Sequence, residues 1–234
     1  MVLYTGDTHG RFERIIGLAQ RLHLTADDVI VILGDAGFNF YGNEHGDAKR
    51  KKQVDRLGVP IFCIHGNHEM RPAAIPSYSV RTWHGGQVWA EPEYPNLLIA
   101  RDGEIYDLNG KQAIVLGGAY SVDKFYRLMQ NPFGPKWWPD EQPDDAIKQR
   151  AERVLEKNHW KVDLVLSHTC PAKYIPTEAF LPGLDQQGVD QSTEQWLDTI
   201  EDRLEYEAWL CGHWHIEKKI DRLHFVFEDI LQIE

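Results

Sequence analysis

Along the chain, apolar residues gather in short runs broken by polar, glycine-rich stretches, and the runs differ in period. MVLYT at 1 to 5 is short and apolar, DDVIVIL at 27 to 33 is apolar without interruption, and VPIFCIH at 59 to 65 follows the same style. Continuous runs of this length suit strands that are covered on both faces. Between them, RFERIIGLAQRLH at 11 to 23 carries apolar residues at helical spacing, and HGDAKRKKQVDRL at 45 to 57 reads as an exposed polar helix. The alternation resumes later with a helix near 144 to 158, strand VDLVLSH, a helix near 191 to 204, strand YEAWLCGH, and a last pair around KKID and LHFVFEDI. QVWA, NLLIA, EIYDL and KQAIVLGG, with turns at EPEYPN, RDG and NG, predict a meander of short strands. The expected fold is α/β, a four-layer α/β/β/α sandwich of two mixed β-sheets flanked by helices. No repeat, low-complexity tract or Gly/Ser linker divides the sequence, so residues 1–234 are expected to form a single domain with an aromatic-rich loop at 117–145.

The breaks between runs carry the chemistry. The first predicted strand ends in GDTHG, the second in GDAG (34 to 37) and the third in GNHE (66 to 69), while later ones end in SHTCP (167 to 171) and GHWH (212 to 215). In an open α/β sheet the carboxyl ends of parallel strands meet at one rim, where ligands bind. Five strand ends would therefore converge, although their residues span more than 200 positions of sequence. Asp7, His9, Asp35, Asn67, His168, His213 and His215 form a mixed carboxylate, amide and imidazole set. Such a set suits manganese, iron or zinc better than the all-oxygen shell of calcium, and the lack of thiolate speaks against a structural zinc site. Seven ligands exceed what one ion takes. They suffice for two ions roughly 3.5 to 4 Å apart that share a carboxylate, and Asp35, on the central strand, is the candidate bridge.

GDTHG, GDAG, GNHE, an isolated SH and GHWH, in that order over residues 6 to 215, resemble the calcineurin-like metallophosphoesterases, whose pattern runs GDxH, GD, GNH[ED], H and GHxH. The resemblance implies a first metal held by Asp7, His9, Asp35 and His215, and a second held by Asp35, Asn67, His168 and His213. It assigns His68 as the catalytic histidine that does not ligate. The implied reaction is hydrolysis of a phosphate mono- or diester by attack of a hydroxide bridging two divalent ions, with His68 assisting the leaving oxygen. Manganese is the first candidate metal, followed by iron, zinc or nickel. The phosphoprotein phosphatase branch carries GDxxDRG and an arginine immediately before GNHE. This chain has GDAGFNF and His65 in those places, which argues against that branch. Arg11, Arg71, Lys124 and Arg127, near predicted rim loops, are the candidates for replacement phosphate clamps, though each is expected to be an ordinary solvated charge.

Composition narrows the field further. A formal net charge of −11 disfavours an extended nucleic-acid footprint, which opposes the rival reading of a nuclease of the same fold. A small phosphorylated substrate or phosphate ion remains the expected partner. Cys63, Cys170 and Cys211 are too few and too scattered for a disulfide framework. No apolar run approaches the roughly eighteen residues of a membrane span, and the N-terminal stretch lacks a signal-peptide core, so a cytoplasmic protein is expected. In the segment 117–145, Tyr120, Phe125, Tyr126, Trp137 and Trp138 read equally as a substrate lid or as packing of the loop onto the core.

Overall fold

The apolar runs do become parallel strands, and their alternating side chains divide among three cores. The computed structural model describes residues 1–42, 44–129, 137–180, 183 and 186–233. The chain begins β1 (Val2–Thr5), α1 (Glu13–Leu22), β2 (Val29–Ile32), α2 (Glu44–Asp55) and β3 (Ile61–Cys63). Three antiparallel pairings follow, β4 (Ser79–Trp83) with β5 (Gly86–Glu91), β5 with β6 (Tyr94–Ala100), and β7 (Ile105–Leu108) with β8 (Lys111–Leu116). The remainder is α3 (Lys124–Met129), α4 (Asp145–Lys157), β9 (Leu164–Ser167), α5 (Ser192–Glu201), β10 (Ala208–Cys211), β11 (Lys218–Ile220) and β12 (Leu223–Phe225).

Among the described residues, twelve strands form two six-stranded sheets ordered β1-β2-β3-β6-β5-β4 and β11-β12-β10-β9-β8-β7. The first is parallel from β1 to β6 and the second from β8 to β12, with antiparallel strands at the edges, so both are mixed. Along β2, Val29 and Val31 face the second sheet while Ile30 and Ile32 face the helices. Val31 lies in a core shared with Phe62, Leu98, Val115, Leu166 and Leu210 from both sheets. Ile30 and Ile32 pack with Phe12, Ile15 and Ala19 of the α1 region and with Val54 of α2. On the far side, Val165 and Trp209 pack with Ala151 and Leu155 of α4 and with Leu197 and Ile200 of α5. Those three cores separate four layers, α/β/β/α, as the sequence led us to expect.

Three local readings are corrected. The meander does not form: β6 and β7 lie in different sheets, and the chain crosses between them at residues 101 to 104. Helix α2 is not simply an exposed polar helix, because Asp47, Lys51 and Val54 form a buried stripe at i, i+4, i+7. Lys51 Nζ is held 2.5 Å from Glu91 Oε2 and lies over the Tyr78 ring, which makes its burial tolerable. The aromatic segment contains α3, and residues 130–136 within it lie outside the described residues. Phe125 and Tyr126 of α3 are exposed, Trp137 lies beside Lys124, and Trp138 packs near Gly42 and Met70. Among the described residues, no helix is long and apolar enough to cross a membrane.

Candidate metal centre

All seven predicted ligands sit within a few residues of the carboxyl ends of β1, β2, β3, β9 and β10, and the two sheets bring those ends face to face. His9 Nε2 and His215 Nε2 face each other at 3.1 Å, and His215 Nε2 lies 3.9 Å from Asp7 Oδ1. Asn67 Oδ1 lies 2.8 Å from His168 Nε2 and 3.1 Å from His213 Nδ1. Asp35 stands between these groups. Its Oδ2 is 3.9 Å from His9 Nδ1, and its Oδ1 is 3.7 Å from His168 Nε2.

The backbone is bent to achieve this. His9, Asp35, His213 and His215 all adopt left-handed φ values, 48°, 50°, 66° and 52°. Non-glycine residues reach that region at a cost and concentrate there at functional sites. Close approach of the two rims also demands glycine. A Cβ on Gly34 would fall 2.0 Å from His168 Nδ1, and one on Gly66 would fall 2.1 Å from Asp35 Oδ1. Gly34→Ala combines that clash with a φ of 97° and should cost on the order of 3 kcal/mol of stability. Gly58→Ala meets nothing within 4 Å and pays only for its φ of 67°, about 1 kcal/mol. Urea unfolding of the two variants measures the difference, and equal losses would show that the rims do not meet this tightly.

The electrostatics ask for a cation. Asp7 is 3% exposed, its Oδ2 accepts the His213 backbone N–H at 2.8 Å, and its Oδ1 is buried without a hydrogen-bond partner. Burial, and then the nearby Asp35 charge, push the Asp7 carboxyl well above its usual range. Burial likewise lowers His9 and His215, and with the neighbouring His168 it pushes His213 down to about 3, so these rings present neutral lone pairs. His168 Nδ1 faces the Leu33 carbonyl at 2.8 Å, which assigns the proton of a neutral ring to that nitrogen. Its Nε2 lone pair then points at Asn67 Oδ1, itself an acceptor because Asn67 Nδ2 donates to Ser121 Oγ at 2.8 Å. Two acceptors directed at each other, an orphaned carboxylate oxygen and neutral imidazoles form a donor set that fits divalent metal. Three groups drawn from Asp7, His9, Asp35, His68, His168 and His215 have ligand atoms within 4.8 Å of one another.

His68 adjoins the cluster without lying at its centre. Its backbone N–H donates to Asp35 Oδ1 at 2.9 Å, and its Nε2 is 3.8 Å from Asp35 Oδ2. Arg127 of α3 is the residue that sequence reasoning undervalued. It is 3% exposed rather than solvated, its Nε donates to Asp123 Oδ2 at 2.7 Å, and its Nη2 lies 2.6 Å from His68 Nε2. The local sequence offers only the i,i+4 carboxylate of Asp123, while the partner that ties Arg127 to the site, His68, is 59 positions away. Arg71 is also not a solvated charge: it is pinned to Asp102 Oδ2 at 2.5 Å and to the Asp140 carbonyl at 2.6 Å. Lys124 lies over the Trp137 ring, and Arg11 is exposed.

Among solved structures, the crystal structure of TT1561 of Thermus thermophilus is similar at 15% identity and a TM-score of 0.52, covering 97% of this chain and 87% of that one. A second solved structure is similar at 17% identity and a TM-score of 0.52, covering 96% and 88%. At such identities the likeness concerns the fold alone. A search of curated proteins finds no match. The calcineurin-like phosphoesterase pattern matches residues 1–217, a span that contains every motif gathered at the rim. With that pattern over most of its length and with Asp and His groups able to hold metal, the chain belongs to the calcineurin-like phosphoesterases.

Proposed function

We propose that the protein hydrolyses small phosphate mono- or diesters with the help of two divalent ions, manganese in the first place. The observation that carries this reading is the position of Asp35, whose two carboxylate oxygens face separate donor groups. Asp7, His9 and His215 would share one ion with Asp35, and Asn67, His168 and His213 would share the other. An exchangeable nitrogen and oxygen donor set favours manganese over metals that select thiolate. The chemistry that bound ions supply is neutralisation of charge on phosphoryl oxygens and activation of water near neutral pH.

The chain's own residues do the rest. Asp35 orients the loop after β3 by accepting the His68 N–H. His68, beside the cluster, is available to give a proton to the leaving oxygen. Arg127 offers the nearby cation that an anionic substrate needs, and Asp123 fixes its guanidinium. With a net charge of −11, the surface suits a small substrate rather than a long polyanion.

The test is metal removal. Chelator-treated protein is assayed on 4-nitrophenyl phosphate and its bis ester, with manganese, iron, zinc or nickel restored singly. Activity should vanish with chelation and return best with manganese. Full activity in protein that metal analysis finds free of ions would overturn the reading.

A further inference from the structure

The ligand cluster opens on one side into a cavity of about 440 Å³, within the range of small-molecule pockets. Asp35, Asn67, His68, His213 and His215 form its metal-facing end. The opposite walls are apolar and partly aromatic: Tyr120, Ile175, Phe180, Val189, Trp214 and Ile216. The Phe180 and Trp214 rings lie 6.2 Å apart and are tilted by 30°. Among the described residues that line the cavity, none is lysine or arginine.

Asp123, Gln191 and Glu194 interrupt this wall, and of the three only Glu194 is buried. Glu194, in the first turn of α5, lines the cavity and is 4% exposed. Its Oε1 accepts the Thr169 hydroxyl at 2.8 Å, while its Oε2 is buried with no hydrogen-bond partner. An unsatisfied buried oxygen is costly, and each instance in a folded protein calls for an explanation. Burial pushes this carboxyl up to about 7, so the surroundings do little to stabilise its charge.

We propose that this cavity receives the organic part of the phosphate ester, and that this part is a flat, uncharged group carrying an N–H or O–H that donates to Glu194. The inference rests on the phosphoesterase reading of the adjoining cluster and adds the class of substrate. The apolar walls favour an aromatic or otherwise flat moiety over a polyhydroxylated one, which would bury hydroxyls without partners. With no cation in the wall and a carboxyl in their place, a second phosphate on the organic part is disfavoured.

The test uses matched, non-hydrolysable probes on manganese-loaded protein: 4-hydroxybenzylphosphonate and 4-methoxybenzylphosphonate, which differ in one donor. Calorimetric titration should show the hydroxy compound binding about tenfold tighter, the usual scale of a hydrogen bond to a charged group. In Glu194→Gln the Thr169 hydroxyl holds the amide oxygen, so the NH2 takes the place of the orphaned Oε2, and the preference should vanish or reverse. Phe180→Ala should weaken both probes alike. Equal affinities in the wild type overturn the proposal, whatever the variants do, and so does an unchanged ratio in folded Glu194→Gln. The corresponding 4-hydroxyphenyl and 4-methoxyphenyl phosphates are assayed alongside. If the phosphonates discriminate but neither ester is cleaved with any metal, the cavity assignment stands and the phosphoesterase reading fails.

Discussion

Asp35→Asn is expected to empty both halves of the metal centre at once and to lower kcat/KM by on the order of 10³-fold, the scale set by removing a group that stabilises developing charge. The reason is geometric. Asp35 Oδ1 accepts the His68 N–H at 2.9 Å and lies 3.7 Å from His168 Nε2, while Oδ2 lies 3.9 Å from His9 Nδ1. In the variant the His68 N–H continues to hold the amide oxygen, so the NH2 group turns toward His9. An amide nitrogen does not ligate and repels a cation through its protons. The centre also loses a negative charge that the two proposed ions would share. His168→Ala, by contrast, removes a proposed ligand from the Asn67 side alone and should weaken mainly one ion. Metal analysis and titration of the two folded variants make the comparison. Two ions per chain at wild-type affinity in Asp35→Asn would show that Asp35 is not the shared ligand.

What could be read from the sequence, and what could not, follows from how far apart the interacting partners lie. VIVI in β2 announces a strand covered on both faces, because every residue of the run must be apolar when two layers enclose it. The motifs at the rim were equally legible, since each begins at the end of its strand or within three residues of it. The buried stripe of α2 was not, because Lys51 is acceptable there only through Glu91, 40 positions away. Edge strand β4 was missed for the opposite reason: SVRTW is largely exposed and shows no alternation of buried positions. Helix α3 escaped notice because its one buried residue is Arg127, whose reason for burial is His68 in another part of the chain. The crossing from β6 to β7 hides behind RDG, a turn equally suited to a hairpin. Left-handed backbone at His9, Asp35, His213 and His215 is likewise invisible in the sequence, because none of the four is glycine.

His68→Ala should leave both ions in place and cut kcat by about 10²- to 10⁴-fold, the range expected for a general acid or base. The substitution is clean because Asp35 accepts the backbone N–H of residue 68, which alanine retains. Only the ring is lost, together with its contacts to Arg127 and its edge-on packing against His9 at 5.2 Å. Arg127 remains tied to Asp123 in the variant, so its charge stays near the substrate. If the ring protonates the leaving oxygen, the damage must follow the basicity of that oxygen. Nitrophenolate leaves almost unaided and should lose least, whereas an alkyl alcohol should lose most. A rival arrangement has physical grounds, since His9, Asp35 and His68 also form one of the compact three-residue groups. If His68 is a ligand instead, the variant loses metal, and the rate loss is the same for every leaving group once occupancy is restored by excess ion. Metal content and rates for a graded series of phosphate esters, measured on one preparation, separate the two: retained ions with losses that rise with leaving-group pKa support the acid role, and uniform losses refute it.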